Sequence, residues 1–139
     1  RSMPQARIVY PVHLNPNVQG PVHELLGAEP NIFLEDPQPY RTFVRLMDSC
    51  TIILTDSGGI QEEGPSLNKP VLIMRDATER PEGVDAGVNM LVGTSAKAIV
   101  PATLDLLRHP EAIASMAARE NPYGDGKAAQ RIAEHLVRQ

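Results

Sequence analysis

Short apolar runs rich in Val, Ile and Leu alternate along the chain with stretches whose apolar residues recur at helical spacing. The short runs predict strands at residues 8–12, 32–34, 51–55, 71–74 and 90–92. The intervening stretches predict helices at residues 17–26, 40–47, 59–67, 96–108, 111–119 and 127–137, with a further short helix over residues 82–86 opened by Pro81. This alternation of strand and helix predicts an α/β fold.

The predicted strands are expected to form a parallel sheet with helices on both faces, a three-layer Rossmann-like arrangement. The apolar run IIL at residues 52–54 is typical of a strand that is covered on both sides. Ligands of such sheets bind beyond the carboxyl ends of the strands. We therefore expect a binding site where the four loops at these ends converge, at residues 12–15, 35–38, 56–59 and 75–82.

The composition limits what such a site binds. The 139 residues suit one domain, expected over residues 1–139, and a hydrophobic fraction of 42% is ordinary for a globular protein. The formal net charge of −4 argues against a nucleic-acid interface, which usually needs a basic excess. Backbone amides and a few arginines would therefore have to hold an anionic ligand.

Other features narrow the class of protein. No apolar run approaches the roughly 20 residues that span a bilayer, so we expect no membrane association, and no signal peptide is expected at the N-terminus.

The single cysteine, Cys50, cannot form an intrachain disulfide and suits a reducing compartment. We interpret it as a buried packing thiol rather than a nucleophile. The four histidines are widely spaced, so no metal site is expected.

Residues 55–63 (TDSGGIQEE) follow a predicted strand and open a predicted helix. A helix N-terminus presents unpaired N–H groups and a partial positive charge, which suit phosphate. Gly58 and Gly59 let an anion approach the backbone closely, and Ser57 adds a hydroxyl. Glu63 lies one turn further on the same face, where a carboxylate suits the two hydroxyls of a ribose. The pattern equally fits a tight turn in which the aspartate or the serine caps the helix and the glutamates are favourable first-turn charges.

A second loop, residues 75–82 (RDATERPE), follows the next strand and carries two arginines. Arginine makes forked contacts with phosphate oxygens. The alternative is a solvated charged loop with internal Arg–Glu pairs, each worth about 0–1 kcal/mol. Because neighbouring strand ends share one cleft, the SGG segment beside this loop favours phosphate binding.

His13 and the segment 36–40 (DPQPY) stand at two further strand ends. The histidine is expected to contact a nucleotide or sugar, or to cap the sheet edge, rather than to catalyse, because no carboxylate partner is evident. The prolines around Gln38 form a rigid loop, which suits the presentation of an amide to a base edge but is also an ordinary turn.

Five segments occur in a specific order: YPVHLNPN (10–17), TDSGGIQEE (55–63), NKPVLIM (68–74), RDATERPE (75–82) and NPYGDG (121–126). Together they resemble the C-terminal domain of the non-hydrolysing UDP-N-acetylglucosamine 2-epimerases, over nearly the whole chain. The resemblance implies the C-terminal half of a glycosyltransferase-B type fold, in which two Rossmann-like domains enclose the active site. Residues 1–6 lie outside this pattern and are expected to be disordered or foreign to the native protein.

The resemblance implies UDP contacts for seven residues. Ser57, Gly58 and Gly59 would take the diphosphate, Arg80 would reach the phosphates, Glu63 would take the ribose hydroxyls, and Gln38 and Phe43 would lie at the uracil. His13 resembles a position facing the interdomain cleft, where some bacterial members bind a second, regulatory UDP-N-acetylglucosamine. Gly64 and Gly83 depart from the family pattern, in which alanine is expected at both positions.

For the whole enzyme, the resemblance implies interconversion of UDP-GlcNAc and UDP-ManNAc by anti elimination of UDP, giving a 2-acetamidoglucal, and its re-addition. It implies no cofactor, a homodimer, a cytoplasmic location and a role in cell-surface polysaccharide biosynthesis. The family's catalytic carboxylates and a His-Arg-Arg-Glu motif belong upstream, so no catalytic residue is assigned here and the isolated chain is expected to be inactive. The alternatives are a donor-nucleotide domain of another glycosyltransferase-B enzyme, a parent that also hydrolyses UDP-GlcNAc, and a non-catalytic nucleotide-binding module.

Overall fold

The computed structural model describes residues 3–138, and these group into two compact units that divide between Leu46 and Met47. The prediction of a single domain over residues 1–139 stays a prediction. No helix within the described residues is long and apolar enough to cross a membrane. Within the same residues, no group of three or more His, Cys, Asp or Glu side chains is placed to hold a metal ion.

The first unit contains strands β1 (Ile8–Pro11) and β2 (Ile32–Glu35) and helices α1 (Pro16–Leu26) and α2 (Tyr40–Ser49), the last of which continues into the second unit. The two strands pair in parallel. Helix α1 begins one residue earlier than predicted because Asn15 caps it, accepting the Asn17 N–H at 3.0 Å. Proline is well suited to the first helical position, where its missing N–H costs nothing.

The N-terminal segment is described only in part. Residues 1 and 2 lie outside the described residues. The Ala6 N–H donates to the Met3 carbonyl at 3.0 Å, and the Asn31 side chain donates to the Ala6 carbonyl at 2.9 Å. This part of the segment is therefore connected by hydrogen bonds to the residue preceding β2.

The second unit contains strands β3 (Ile53–Thr55), β4 (Val71–Ile73) and β5 (Asn89–Leu91), all parallel and in the order β3-β4-β5. Its remaining helices are α3 (Gly58–Ser66), α4 (Pro81–Asp85), α5 (Ala96–Arg108), α6 (Pro110–Ala117) and α7 (Ala128–Val137). Each of these strands is followed along the chain by a helix, α3 after β3, α4 after β4 and α5 after β5. Because the three strands are parallel, the loops at their carboxyl ends lie at one edge of the sheet.

The central strand β4 is completely buried and separates two helical layers. Successive side chains of a strand point to opposite faces of the sheet. Val71 faces α3, where it packs against Gly64. Leu72 faces the other layer and clusters with Leu106 of α5 and Met116 of α6. The prediction of an α/β fold with parallel strands and helices on both faces is therefore confirmed in this unit.

Cys50 lies half-buried in the connection between α2 and β3. Its thiol donates a hydrogen bond to the Met47 carbonyl at 3.0 Å, and burial raises the pKa of the thiol. A raised pKa disfavours the reactive thiolate. The position therefore agrees with a packing role.

Candidate functional site

The N-terminus of α3 follows β3 through a short loop. Ser57 precedes the first helical residue with an extended backbone (φ −77°, ψ 133°), and its side chain makes no capping hydrogen bond. The Ser57 N–H donates to the Thr55 hydroxyl at 3.0 Å. The first N–H groups of a helix have no intrahelical partner, so this end offers hydrogen-bond donors and a partial positive charge to an anion.

Arg80, the residue before α4, lies directly over Gly58. A Cβ on Gly58 would lie 2.7 Å from Nη1 and 3.1 Å from Cζ of the arginine, so the absence of a side chain lets the guanidinium come this close. The Arg80 Nε donates to Oε1 of Glu62, and this hydrogen bond raises the pKa of the guanidinium. Nη1 also lies 3.7 Å from the Glu79 carboxylate. A permanently charged arginine therefore faces the N-terminus of α3.

Glu63 stands one turn beyond Gly59 on α3. Its Oε1 is 3.7 Å from the point where a Cβ on Gly59 would lie, so the carboxylate reaches back toward the start of the helix. Its Oε2 is buried and accepts no hydrogen bond from residues 3–138. A buried carboxylate oxygen without a donor is costly, so this atom is well placed to accept a hydrogen bond from a ligand hydroxyl.

A buried glutamine that no sequence motif indicates connects the two loops. Gln61 is fully buried, its Nε2 donates to the Ser57 carbonyl at 3.2 Å, and its Oε1 accepts from the Thr78 hydroxyl at 2.5 Å. The Thr78 hydroxyl oxygen in turn accepts the Arg80 N–H at 3.1 Å. This bridge holds the backbone of Arg80 at a set distance from α3. The sequence feature that indicates Gln61 is its position: a polar residue one turn after Ser57, on a helix that packs against the sheet.

Tyr123, in the segment NPYGDG, holds the same loop from another side. Its hydroxyl accepts the Gly83 N–H at 3.1 Å and donates to the Arg80 carbonyl at 3.4 Å. Burial raises the pKa of this phenol, so the proton needed for donation is retained. A Cβ on Gly83 would collide with the side chains of Asn89 and Tyr123. This packing gives a reason for glycine where alanine was expected.

Arg75, the other arginine of the loop, has a different role. Its Nε donates to the Asp56 carbonyl at 2.6 Å, and its guanidinium pairs with Glu79 at 3.1 Å. The loop therefore contains the internal Arg–Glu pairs of the alternative interpretation as well as an arginine over the helix N-terminus. Arg75 stabilises the turn before Ser57, whereas Arg80 faces the helix end.

The predicted site residues of the two loops lie in the second unit: Ser57, Gly58, Gly59, Glu63 and Arg80. The other three predicted site residues, His13, Gln38 and Phe43, lie in the first unit. His13 is exposed, and its Nδ1 accepts the Asn15 N–H at 3.1 Å. Gln38 closes its own turn by donating to the Asp36 carbonyl at 2.9 Å, and Phe43 is half-buried on α2. His13 and Gln38 thus have local structural contacts, and their ligand contacts stay predictions.

Comparison with known proteins shows which family the chain is similar to. A family model described as UDP-N-acetylglucosamine 2-epimerase matches residues 1–137. The chain is 57% identical to the UDP-N-acetylglucosamine 2-epimerase of Yersinia pestis over 136 residues, which cover 98% of this chain and 36% of that protein. It therefore spans about a third of the length of its curated relatives.

Solved structures show the same similarity. The UDP-GlcNAc 2-epimerase from Neisseria meningitidis, bound to UDP-GlcNAc, matches with a TM-score of 0.86 and 50% identity over 96% of this chain and 36% of that chain. The MnaA–UDP structure from S. aureus matches with a TM-score of 0.89 and 43% identity over 94% of this chain and 36% of that chain. These neighbours have a glycosyltransferase-B fold, which confirms the predicted fold class. The chain belongs to the UDP-N-acetylglucosamine 2-epimerase family.

Proposed function

We propose that this chain forms the UDP-binding part of an isomerase that interconverts UDP-GlcNAc and UDP-ManNAc without net hydrolysis. One observation carries the proposal: the Arg80 guanidinium lies over the N-terminus of α3, one turn from Glu63, whose Oε2 atom is buried without a hydrogen-bond donor in residues 3–138. Family membership supports it, as do the UDP-GlcNAc and UDP named for the Neisseria and S. aureus structures.

Each part of UDP has a matching group in this proposal. The first-turn N–H groups of Gly58 and Gly59, the Ser57 hydroxyl and the Arg80 guanidinium are complementary to a diphosphate. The Oε2 atom of Glu63 is complementary to the ribose hydroxyls, because a carboxylate accepts two such hydrogen bonds. Placement of Gln38 and Phe43 at the uracil, and of His13 at the interdomain cleft, is proposed from the resemblance alone.

The proposed reaction breaks the bond between the anomeric carbon and the UDP oxygen while a proton leaves C2, giving UDP and a 2-acetamidoglucal. Negative charge develops on the departing diphosphate, and donors already aimed at that position stabilise it. UDP and a proton then add back with the opposite configuration at C2. This chain would supply the diphosphate stabilisation, and the remainder of the whole enzyme would move the C2 proton.

The isolated chain is expected to bind UDP weakly, since the family active site lies between two domains and only one part of it is present. Titration with UDP, followed by amide chemical-shift mapping, is expected to move the resonances of Ser57, Gly58, Gly59 and the Arg80 loop. Adenosine diphosphate serves as a control for the uracil contribution. Shifts confined to α5 and α6, or none at millimolar UDP, would reject the site.

The isolated chain is also expected not to interconvert the two UDP-sugars, because we assign no acid–base pair to it. Incubation with UDP-GlcNAc in deuterium oxide is expected to leave the C2 proton signal unchanged. The full-length Neisseria meningitidis relative, assayed in parallel, is the positive control. Deuterium incorporation at C2 by this chain alone would contradict the prediction.

Other properties of the whole enzyme are proposed from the resemblance. They are homodimer formation, a cytoplasmic location and a role in cell-surface polysaccharide biosynthesis. A donor domain of a sugar transferase would use the same nucleotide contacts. The two functions differ in their product, because a transferase needs an acceptor and releases UDP, whereas the proposed isomerase yields UDP-ManNAc from UDP-GlcNAc alone.

A further inference from the structure

Glu62 makes a contact with Arg80 that nucleotide binding by itself does not require. Its Oε1 accepts a hydrogen bond from Nε, the inner nitrogen of the guanidinium. The outer nitrogens Nη1 and Nη2 then lie on the side of Gly58, at 2.7 and 3.3 Å from the point where its Cβ would be. We propose, on the basis of the proposed UDP site, that Glu62 is a positioning residue that aims Nη1 and Nη2 of Arg80 at the diphosphate without touching the nucleotide itself.

The backbone of Arg80 is already held by hydrogen bonds to other residues. The Thr78 hydroxyl accepts the Arg80 N–H at 3.1 Å, and Tyr123 donates to the Arg80 carbonyl at 3.4 Å. Only the long side chain keeps rotational freedom, and an arginine loses much of that freedom when it is ordered. The Glu62 contact orders it before the ligand arrives, which lowers the cost of binding.

The Arg80–Glu62 ion pair is expected to contribute little to the free energy of folding, which favours a role in ligand binding. The side chains of Arg80 and Glu62 are 33% and 45% exposed, and ion pairs at such positions stabilise proteins only weakly. By its charge alone, Glu62 would weaken UDP binding, because its carboxylate repels a diphosphate. The two explanations therefore predict opposite changes in UDP affinity. If Glu62 positions Arg80, the loss of Glu62 weakens UDP binding. If only its charge matters, the loss of Glu62 strengthens UDP binding.

The test compares UDP and uridine binding to the parent chain and three variants, with a thermal melt for each. Glu62→Ala is expected to weaken UDP about threefold to tenfold and to leave uridine unchanged. Glu62→Gln is expected to stay within about twofold of the parent, because an amide oxygen still accepts from Nε. Glu79→Ala is the matched control, since it removes a carboxylate 3.7 Å from Nη1 without touching Nε, and it is expected to stay within about twofold.

The Arg80→Ala background separates positioning from other effects. Adding Glu62→Ala to Arg80→Ala is expected to cause no further loss of UDP affinity, since the group to be positioned is gone. A loss that persists in this background would overturn the proposal. So would a Glu62→Ala variant that binds UDP as tightly as the parent or more tightly, or that weakens UDP and uridine equally.

The Arg80 Nε–H resonance of the ligand-free chain gives a readout that does not depend on UDP. It is expected to shift and exchange faster with solvent in Glu62→Ala but not in Glu79→Ala, and an unchanged signal would overturn the proposal. The outcomes also separate this proposal from the proposed function. A parent chain that binds no UDP rejects both, whereas a parent that binds UDP with Glu62→Ala unchanged rejects only the role of Glu62.

Discussion

Replacement of Arg80 by alanine is expected to weaken UDP binding by about ten- to hundredfold while uridine binding changes little. The guanidinium lies over Gly58 at the start of α3, and only UDP carries a diphosphate for it to contact. Loss of a charged hydrogen bond to the ligand has an effect of this size. The measurement is calorimetric titration of parent and variant with both ligands, accompanied by a thermal melt.

Glu63→Gln is the matched comparison for Arg80→Ala. It is expected to weaken UDP and uridine alike, since both carry the ribose diol, and to affect a ligand without the diol much less. Equal losses of UDP and uridine affinity in Arg80→Ala would show that Arg80 is not a phosphate ligand. A variant that melts far below the parent but keeps its affinity would show that the altered residue serves folding.

Gly64→Ala is expected to lower the free energy of unfolding by about 1–3 kcal/mol. The added Cβ would lie 2.5 Å from Cγ2 of Val71 and 3.1 Å from Cδ1 of Ile53, and both of these residues are buried. Val71 is β-branched and stiff at χ1, so its Cγ2 cannot easily turn away and α3 is expected to move away from the sheet. Equilibrium unfolding in urea measures the change. Ser115→Ala, at an exposed position of α6, is the control and is expected to stay within about 0.5 kcal/mol of the parent.

A double substitution tests the cause of this loss. In the Val71→Ala background the space beside Gly64 is larger, so the extra methyl group fills volume that the valine has vacated. The cost of Gly64→Ala is therefore expected to be much smaller there, giving a clear coupling between the two sites. Fully additive costs, or a Gly64→Ala variant as stable as the parent, would contradict the packing explanation.

The candidate site was predictable where a single local pattern carried it. Ser57, Gly58 and Gly59 stand at a strand-to-helix turn, and that turn is visible in a short stretch of sequence. Glu63 follows from helical spacing alone. The choice of Arg80 over Arg75 rested on the resemblance, because both arginines lie in one charged loop. The structure separates them: Arg75 donates to the Asp56 carbonyl, whereas Arg80 reaches Gly58.

The sequence by itself determined the order and type of the elements, because strand and helix periodicities are local properties of the chain. The start of α1 differed by one residue, where a capping asparagine and a proline outweighed the apolar pattern. Only the tertiary structure decided which polar groups meet. The partners Thr78 and Gln61 are 17 residues apart, Arg80 and Glu62 are 18 apart, and Gly83 and Tyr123 are 40 apart. Such contacts depend on how the loops of neighbouring strands pack together, and no periodicity along the chain encodes that packing.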